Sequence, residues 1–220
     1  MNQAKRIEIL TRLREQNPHP TTELEYNSPF ELLIAVILSA QATDKGVNKA
    51  TAKLFPVANT PQAILDLGLE GLKEYIKTIG LYNSKAENII KTCRDLVEKH
   101  NGEVPESREA LESLAGVGRK TANVVRGNWY HIPSVVVDTH VKRVSNLLGL
   151  TKNEDPVKIE FDLMQLVPKD KWIDINTQMI AHGRKICIAR RPKCQECFLL
   201  PYCTGGKALE KEKQKKEKKA

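Results

Sequence analysis

A membrane span needs about 18 consecutive apolar residues, and no run in this chain comes near that. The apolar segment PFELLIAVILSA is twelve residues long and includes a glutamate. The N-terminal MNQAKRIEILTRLREQNP reads as a short amphipathic helix and has no apolar core of the signal-peptide kind. Extended runs are scarce too. Only IPSVVV, residues 132–137, has the β-branched continuity of a strand, and a lone strand makes no sheet. Cysteine is almost missing from the first 186 residues, where Cys93 stands alone. Together these absences argue against a membrane protein, a β-rich fold and a secreted disulfide scaffold. They point to a reducing, cytoplasmic setting, where clustered thiols serve as metal ligands rather than disulfides.

The 220 residues suit one large domain or two modest ones, with ample capacity for a core. Hydrophobic residues make up 40% and charged residues 28%, so the chain belongs with ordinary globular proteins. The net charge is +8, but half of it sits in the tail Lys207–Ala220, which holds seven lysines and three glutamates. A basic protein favours polyanionic partners. The tail has no apolar stripe to fix it to a fold and reads as a disordered basic end, 207–220.

Helix signals fill the rest. Ser28-Pro-Phe-Glu31 and Ser84-Lys-Ala-Glu87 have capping-box spacing, and Thr60-Pro61 and Asp155-Pro156 pair a cap with a first-turn proline. Gly80, Gly102 and Gly183 follow apolar-periodic segments and read as stops. The fold class is therefore all-α. Cys93 shares an apolar helix face with Ile89, Ile90, Leu96 and Val97, where a thiol packs as a small hydrophobe.

The remaining four cysteines, Cys187, Cys194, Cys197 and Cys203, fall within seventeen residues as C-x6-C-x2-C-x5-C. Four thiolates in one loop can hold a tetrahedral zinc or a cubane iron–sulfur cluster. Structural zinc more often uses two C-x2-C knuckles far apart, so the single knuckle favours iron–sulfur without excluding zinc. Disulfides between such close partners would strain the loop. Arg184, Lys185, Arg190, Arg191 and Lys193 surround the ligands. They exceed what charge neutralisation of thiolates requires and suit a phosphate backbone, though a solvated basic loop is the plainer reading.

LESLAGVGRKTANVV, residues 111–125, places Gly116 and Gly118 between two helical patterns. Glycines permit a tight turn there, and with the following helix start they leave amides, through Arg119, free for an anion. The extended pattern L-x-G-V-G-x-K-T-A is the helix-hairpin-helix signature. Lys120 then falls in the first turn of the second helix, where the macrodipole disfavours a cation. That suits a nucleophilic amine, against the plainer reading of an exposed lysine near phosphate. Asp138 stands between IPSVVV and the helical THVKRVSNLLGL, so it reads as an N-cap. Amide hydrogen bonds there would also favour its ionised form, ready beside a developing cation.

Hairpin with Lys120, Asp138 eighteen residues later, then the four-cysteine loop: in this order the motifs resemble the endonuclease III family of helix-hairpin-helix DNA glycosylases, over residues 1–206 or so. SPFELLIAVILSAQATD and GLYNSKAENIIKTC strengthen the resemblance. It implies two helical domains with the active site in the cleft between them. One is a six-helix barrel with the hairpin, residues 22–132, and the other a discontinuous [4Fe–4S] cluster domain, 1–21 and 133–206. It implies a bifunctional enzyme of base-excision repair that removes oxidised pyrimidines and nicks the strand 3′ to the abasic site. Lys120 would attack the sugar, Asp138 would stabilise the sugar cation, and the four cysteines would hold a [4Fe–4S] cluster that shapes a DNA-binding loop. Gln41 would fill the gap left by the flipped base and Leu81 would wedge the duplex; otherwise they read as a helix-end polar residue and a buried leucine. The implied partner is double-stranded DNA with a damaged pyrimidine or abasic site, bound by a monomer in the bacterial cytoplasm at the nucleoid. Two departures stand out: Ala115 where the family pattern has proline, and RGNWYHIP (126–133), whose Arg126 could add a phosphate contact. The adenine-removing branch of the superfamily is an alternative, but it lacks a lysine nucleophile and carries an extra C-terminal domain. A non-enzymatic DNA-binding module with a zinc-stapled loop is the other.

Overall fold

The computed structural model describes residues 3–209. The regular elements among its described residues are all helices, with no strand. The chain divides into two compact units, one of Thr22–Ile132 and one joining Met1–Thr21 to Pro133–Ala220.

The Thr22–Ile132 unit is organised around α2 (Pro29–Ser39). Phe30 through Leu38 are all buried, as the all-round apolar segment requires of a central helix. At roughly 1.5–3 kcal/mol for each large side chain removed from water, this one helix supplies much of the unit's cohesion. Its start follows the sequence signal. Ser28 accepts from the Glu31 N–H at 3.1 Å and proline follows at the first helical position. The Glu31 carboxylate, however, reaches one residue further back, accepting from the Asn27 N–H at 2.6 Å. Against α2 pack α3 (Asp44–Leu54), α5 (Tyr82–His100) and α7 (Arg119–Asn128), while α4 (Pro61–Ile76) lies along α3 and α5. α6 (Arg108–Glu112) abuts α7. Thr60 caps α4 as expected, accepting from Ala63 N–H. Gly68, at φ 72°, kinks α4 midway, a break its apolar pattern conceals. Cys93 is fully buried in this core, and burial pushes its thiol up to about 12.

The second unit packs α1 (Gln3–Gln16) and α8 (Thr139–Leu148) against α10 (Trp172–Lys185), with α9 (Pro156–Leu166) closing the core through Ile159 and Leu163. Asp155 caps α9, accepting from Lys158 N–H. IPSVVV lies outside any helix and pairs with no strand. Asn176 of α10 takes the place of a strand partner: its Oδ1 accepts from the Val136 N–H at 3.0 Å and its Nδ2 donates to the Ser134 carbonyl at 3.0 Å.

Three local expectations need correction. Ser84 does not cap a helix, because α5 already begins at Tyr82 behind a left-handed Leu81 with no side-chain cap. Gly183 is not a stop but lies inside α10. A β-carbon there would come within 2.9 Å of the His140 β-carbon, so the glycine serves a close helix approach to α8. The tail does not begin at Lys207, since helix runs over 204–209 and Leu209 lines the cavity of the cysteine loop. The remainder of the expected tail, 210–220, lies outside the described residues. Of the other two stops, Gly80 follows the α4 C-cap Lys77 by three residues, and Gly102 sits next to the left-handed cap Asn101.

Candidate functional site

The hairpin turn is built by two glycines with different duties. Gly116 takes φ 77°, the left-handed conformation that turns the chain tightly. A β-carbon on it would press to 3.1 Å of Asn88 of α5. Gly118 has φ −95° and is the N-cap of α7, so the first-turn amides of α7 have no capping side chain in front of them. An N-cap without a side-chain acceptor leaves orphan N–H donors, which is what an incoming phosphate needs. Thr92 of α5 donates its hydroxyl to the Ala115 carbonyl at 2.8 Å and steadies the turn from behind. Lys120 is the second residue of α7 and is exposed. Arg119 beside it is half-buried.

Asp138 is the N-cap of α8, as the sequence reading expects. Its Oδ1 accepts from both the His140 N–H at 2.9 Å and the Val141 N–H at 2.8 Å. The side chain is half-buried, and Oδ2 has no hydrogen-bond partner among the described residues. One oxygen is thus fixed by the helix while the other is not engaged by it.

Gln41 and Leu81 share an unusual backbone state. Both are non-glycine residues at positive φ, 55° and 60°, and both are exposed. Leu81 is 62% exposed, which sets aside the plainer reading of a buried leucine. Such conformations cost about 1–3 kcal/mol and persist only where surrounding structure enforces them.

All five cysteines are free, and Cys187, Cys194, Cys197 and Cys203 line one cavity between α8, the end of α10 and the loop. Burial pushes the Cys187 and Cys197 thiols up, while Arg143 pulls Cys187 back down. Gly206 donates its N–H to Cys203 Sγ at 3.1 Å. Among the described residues no three His, Cys, Asp or Glu side chains are set to share one metal ion. The donor set, four thiols facing an apolar cavity with an N–H donor at one sulfur, fits a [4Fe–4S] cluster.

Sequence reasoning missed Arg143, which braces the cysteine loop. It donates to the Cys187 carbonyl from Nε at 3.1 Å and Nη2 at 2.8 Å, and to the Gly183 carbonyl at 2.9 Å. It also missed His182, buried against Cys197, with its Nε2 3.8 Å from the sulfur. Burial first, and Arg143 second, bring that imidazole down to about 4, so it is neutral. Neither residue could be found from spacing, since each acts on partners remote in sequence. The five flanking cations, Arg184, Lys185, Arg190, Arg191 and Lys193, are all exposed. Arg126 donates to the Glu106 carbonyl at 3.2 Å, which occupies its Nε within the protein.

The family model of the HhH-GPD superfamily base excision DNA repair proteins matches residues 34–169, and that of the iron–sulfur binding domain of endonuclease III matches residues 187–203. An endonuclease III from Haemophilus influenzae is 70% identical over 210 residues, covering 96% of this chain and all of that protein. The chain belongs to the endonuclease III family. An endonuclease III from Escherichia coli K12 is 63% identical, over 92% of this chain and 96% of its own. Among solved structures, a trapped endonuclease III–DNA covalent intermediate superposes with a TM-score of 0.92 at 43% identity, covering 96% of this chain and 99% of that one. A thermostable thymine-DNA glycosylase follows the same fold, with a TM-score of 0.83 at 25% identity. The chain is accordingly a base-excision DNA glycosylase with AP lyase activity and a [4Fe–4S] cofactor. No helix among its described residues is long and apolar enough to cross a membrane.

Proposed function

We propose that this member of the family acts as a monomer on double-stranded DNA, excising oxidised pyrimidines and cleaving at the abasic sugar, with Lys120 as nucleophile and Asp138 as the carboxylate that stabilises the sugar cation. The observations that support this reading are the separate preparations of two groups. Lys120 is exposed directly after an uncapped helix start, and Asp138 has one oxygen fixed by two amides and the other without a partner.

A base stacked in the duplex cannot be reached at its glycosidic bond, so the nucleotide is first turned out. Leu81 wedges the helix, and Gln41 occupies the space the base leaves. Phosphates near the lesion are received by the hairpin amides around Gly116 and Gly118, by Arg119, and by the exposed cations Arg184, Arg190, Arg191 and Lys193. As the base departs with the glycosidic electron pair, positive charge grows on the sugar, and the Asp138 carboxylate stabilises it. The Lys120 amine forms the bond to C1′. Loss of the amine's proton and ring opening give an imine, and loss of a C2′ proton then breaks the C3′–O bond and nicks the strand. A related enzyme trapped covalently on DNA supports a bond of this kind here. Cys187, Cys194, Cys197 and Cys203 would hold the cluster, whose contribution when bound is to pin the loop that carries the cations. The lesion class and a setting at the bacterial nucleoid follow from likeness to the family.

Borohydride added during turnover on a thymine-glycol duplex tests the assignment. It should reduce the imine and leave the protein on the lesion strand through Lys120. Lys120→Gln should bind DNA yet neither trap nor nick. Trapping that survives in Lys120→Gln would assign the nucleophile elsewhere.

A further inference from the structure

Lys85 is buried to 5% exposure in the first turn of α5, and no carboxylate pairs with it among the described residues. Lysine is almost never buried so fully without a partner charge. Its ammonium instead donates to two carbonyls where α2 ends, Leu38 O at 2.9 Å and Ala40 O at 2.6 Å. These carbonyls lie at the negative pole of α2, and the next residue after Ala40 is the left-handed Gln41. The same lysine's backbone N–H donates to the Leu81 carbonyl at 3.1 Å. One residue thus holds the turn of Gln41 by its side chain and the turn of Leu81 by its main chain. The two turns are close: a β-carbon on Gly80 would stand 4.0 Å from the Gln41 carbonyl. Burial pushes the Lys85 amine down from its ordinary value, so the fold keeps this cation at a cost.

We infer that Lys85 is a positioning residue that fastens the Gln41 turn to the Leu81 turn, so that the plug and the wedge meet DNA as one device of fixed spacing. The inference rests on the proposed roles of Gln41 and Leu81. It accounts for two strained turns lying side by side, since a buried cation bonded to carbonyls of one and joined to the other over-determines both backbones. The role is distinct from catalysis, because Lys85 is inaccessible to substrate and its amine is already committed to carbonyls.

Lys85→Met keeps the length and packing of the side chain and removes its donors. Single-turnover excision from a thymine-glycol duplex should fall about tenfold to hundredfold, the scale of a small misplacement remote from the chemistry. Imine trapping on a single-stranded abasic oligonucleotide, which needs neither wedge nor plug, should fall far less. Leu81→Ala should lower duplex excision similarly, and the double variant should be little worse than either single one, since both act through one element. Circular dichroism and cluster absorbance control for folding. Lys85→Gln, which retains an amide donor, should show an intermediate loss and replaces Lys85→Met if that variant does not fold. Equal losses on duplex and single strand would reduce Lys85 to general stability and overturn the inference, as would losses that multiply in the double variant. Wild-type rates in both Leu81→Ala and Gln41→Ala would overturn the insertion reading beneath it.

Discussion

Asp138 caps α8 and, on the proposed reading, also stabilises the sugar cation, and the geometry says how to separate the two jobs. Asp138→Asn preserves the Oδ1 that accepts from the His140 and Val141 amides and replaces the partnerless Oδ2 by an amide group. The cap survives. What is lost to stability is the charge–dipole attraction at the start of α8, about 0.3–1 kcal/mol. Asp138→Ala deletes the cap itself, at about 1 and up to 2 kcal/mol. α8 remains docked through Val141, Val144 and Leu148, so neither variant should unfold it. With roughly 2–4 °C of melting temperature per kcal/mol in a chain of this size, the asparagine variant should melt within about 4 °C of wild type and the alanine variant a few degrees lower. Activity should not follow that order. Both variants lack the carboxylate proposed to stabilise the sugar cation, so single-turnover excision should drop about 100- to 1000-fold in each. The assay is a paired one: thermal melting monitored by circular dichroism, and excision from a thymine-glycol duplex. An asparagine variant that keeps near wild-type excision would confine Asp138 to capping and refute the electrostatic role. So would activity losses that merely track the melting temperatures.

Cys194→Ser should remove the broad visible absorption of the cluster and loosen the loop, measured by iron content and limited proteolysis; a variant that keeps its full iron would break the four-cysteine ligand set. Gly183→Ala should destabilise the α8–α10 contact by about 1–3 kcal/mol in thermal melting, because its new methyl meets His140 at 2.9 Å. Unchanged melting would show that the helices part at no cost. Cys93 should resist thiol reagents in the native protein at pH 8. Its folded thiol titrates at about 12 against 9.0 when unperturbed, so the protonated, folded state is fully favoured below pH 9. Between pH 9 and 12 only the unfolded chain ionises there, and stability should fall with rising pH, on the order of 4 kcal/mol in all. Cys93→Ala should remove that part of the slope in denaturant titrations, and an identical slope would contradict it.

The features that could be read from sequence are those whose partners lie within a turn of the chain. Ser28, Thr60, Asp138 and Asp155 cap helices because their side chains reach amides two or three residues on. The all-round apolar α2 could be read because burial on every side leaves no polar face to conceal. Reading failed where the deciding contact is remote. Gly183 looked like a stop until His140, 43 residues earlier in the chain, explained why no side chain fits. Ser84 looked like a cap because spacing alone cannot reveal that Leu81 turns left-handed and starts the helix early. Lys85, Arg143 and Asn176 each bond backbone groups about 40 or more residues away. A polar residue tied to a distant carbonyl leaves no periodic trace, so these braces emerge only from coordinates.

The same distinction explains how the hairpin tolerates Ala115 where the resemblance leads one to expect proline. Proline would stiffen the turn by restricting the unfolded chain, an effect of about 0.4–1 kcal/mol. Here α5 supplies restraint in the folded state instead. Thr92, fully buried, donates to the Ala115 carbonyl, and a hydrogen bond of that kind is worth about 0.5–1.5 kcal/mol. Asn88 closes on Gly116 from the same helix. Residues 85, 88 and 92 are spaced by three and four, so they follow one stripe along α5, which starts just after Leu81. At one end of the stripe are the Leu81 turn and, through Lys85, the Gln41 turn; at the other is the hairpin that leads into Lys120. A helix of this length, anchored by Ala86, Ile89, Cys93 and Leu96 in the core, is a stiff ruler between those ends. The restraint that a proline would confine to one turn is thereby shared along a helix that also fixes the spacing from the Leu81 turn to the hairpin before Lys120.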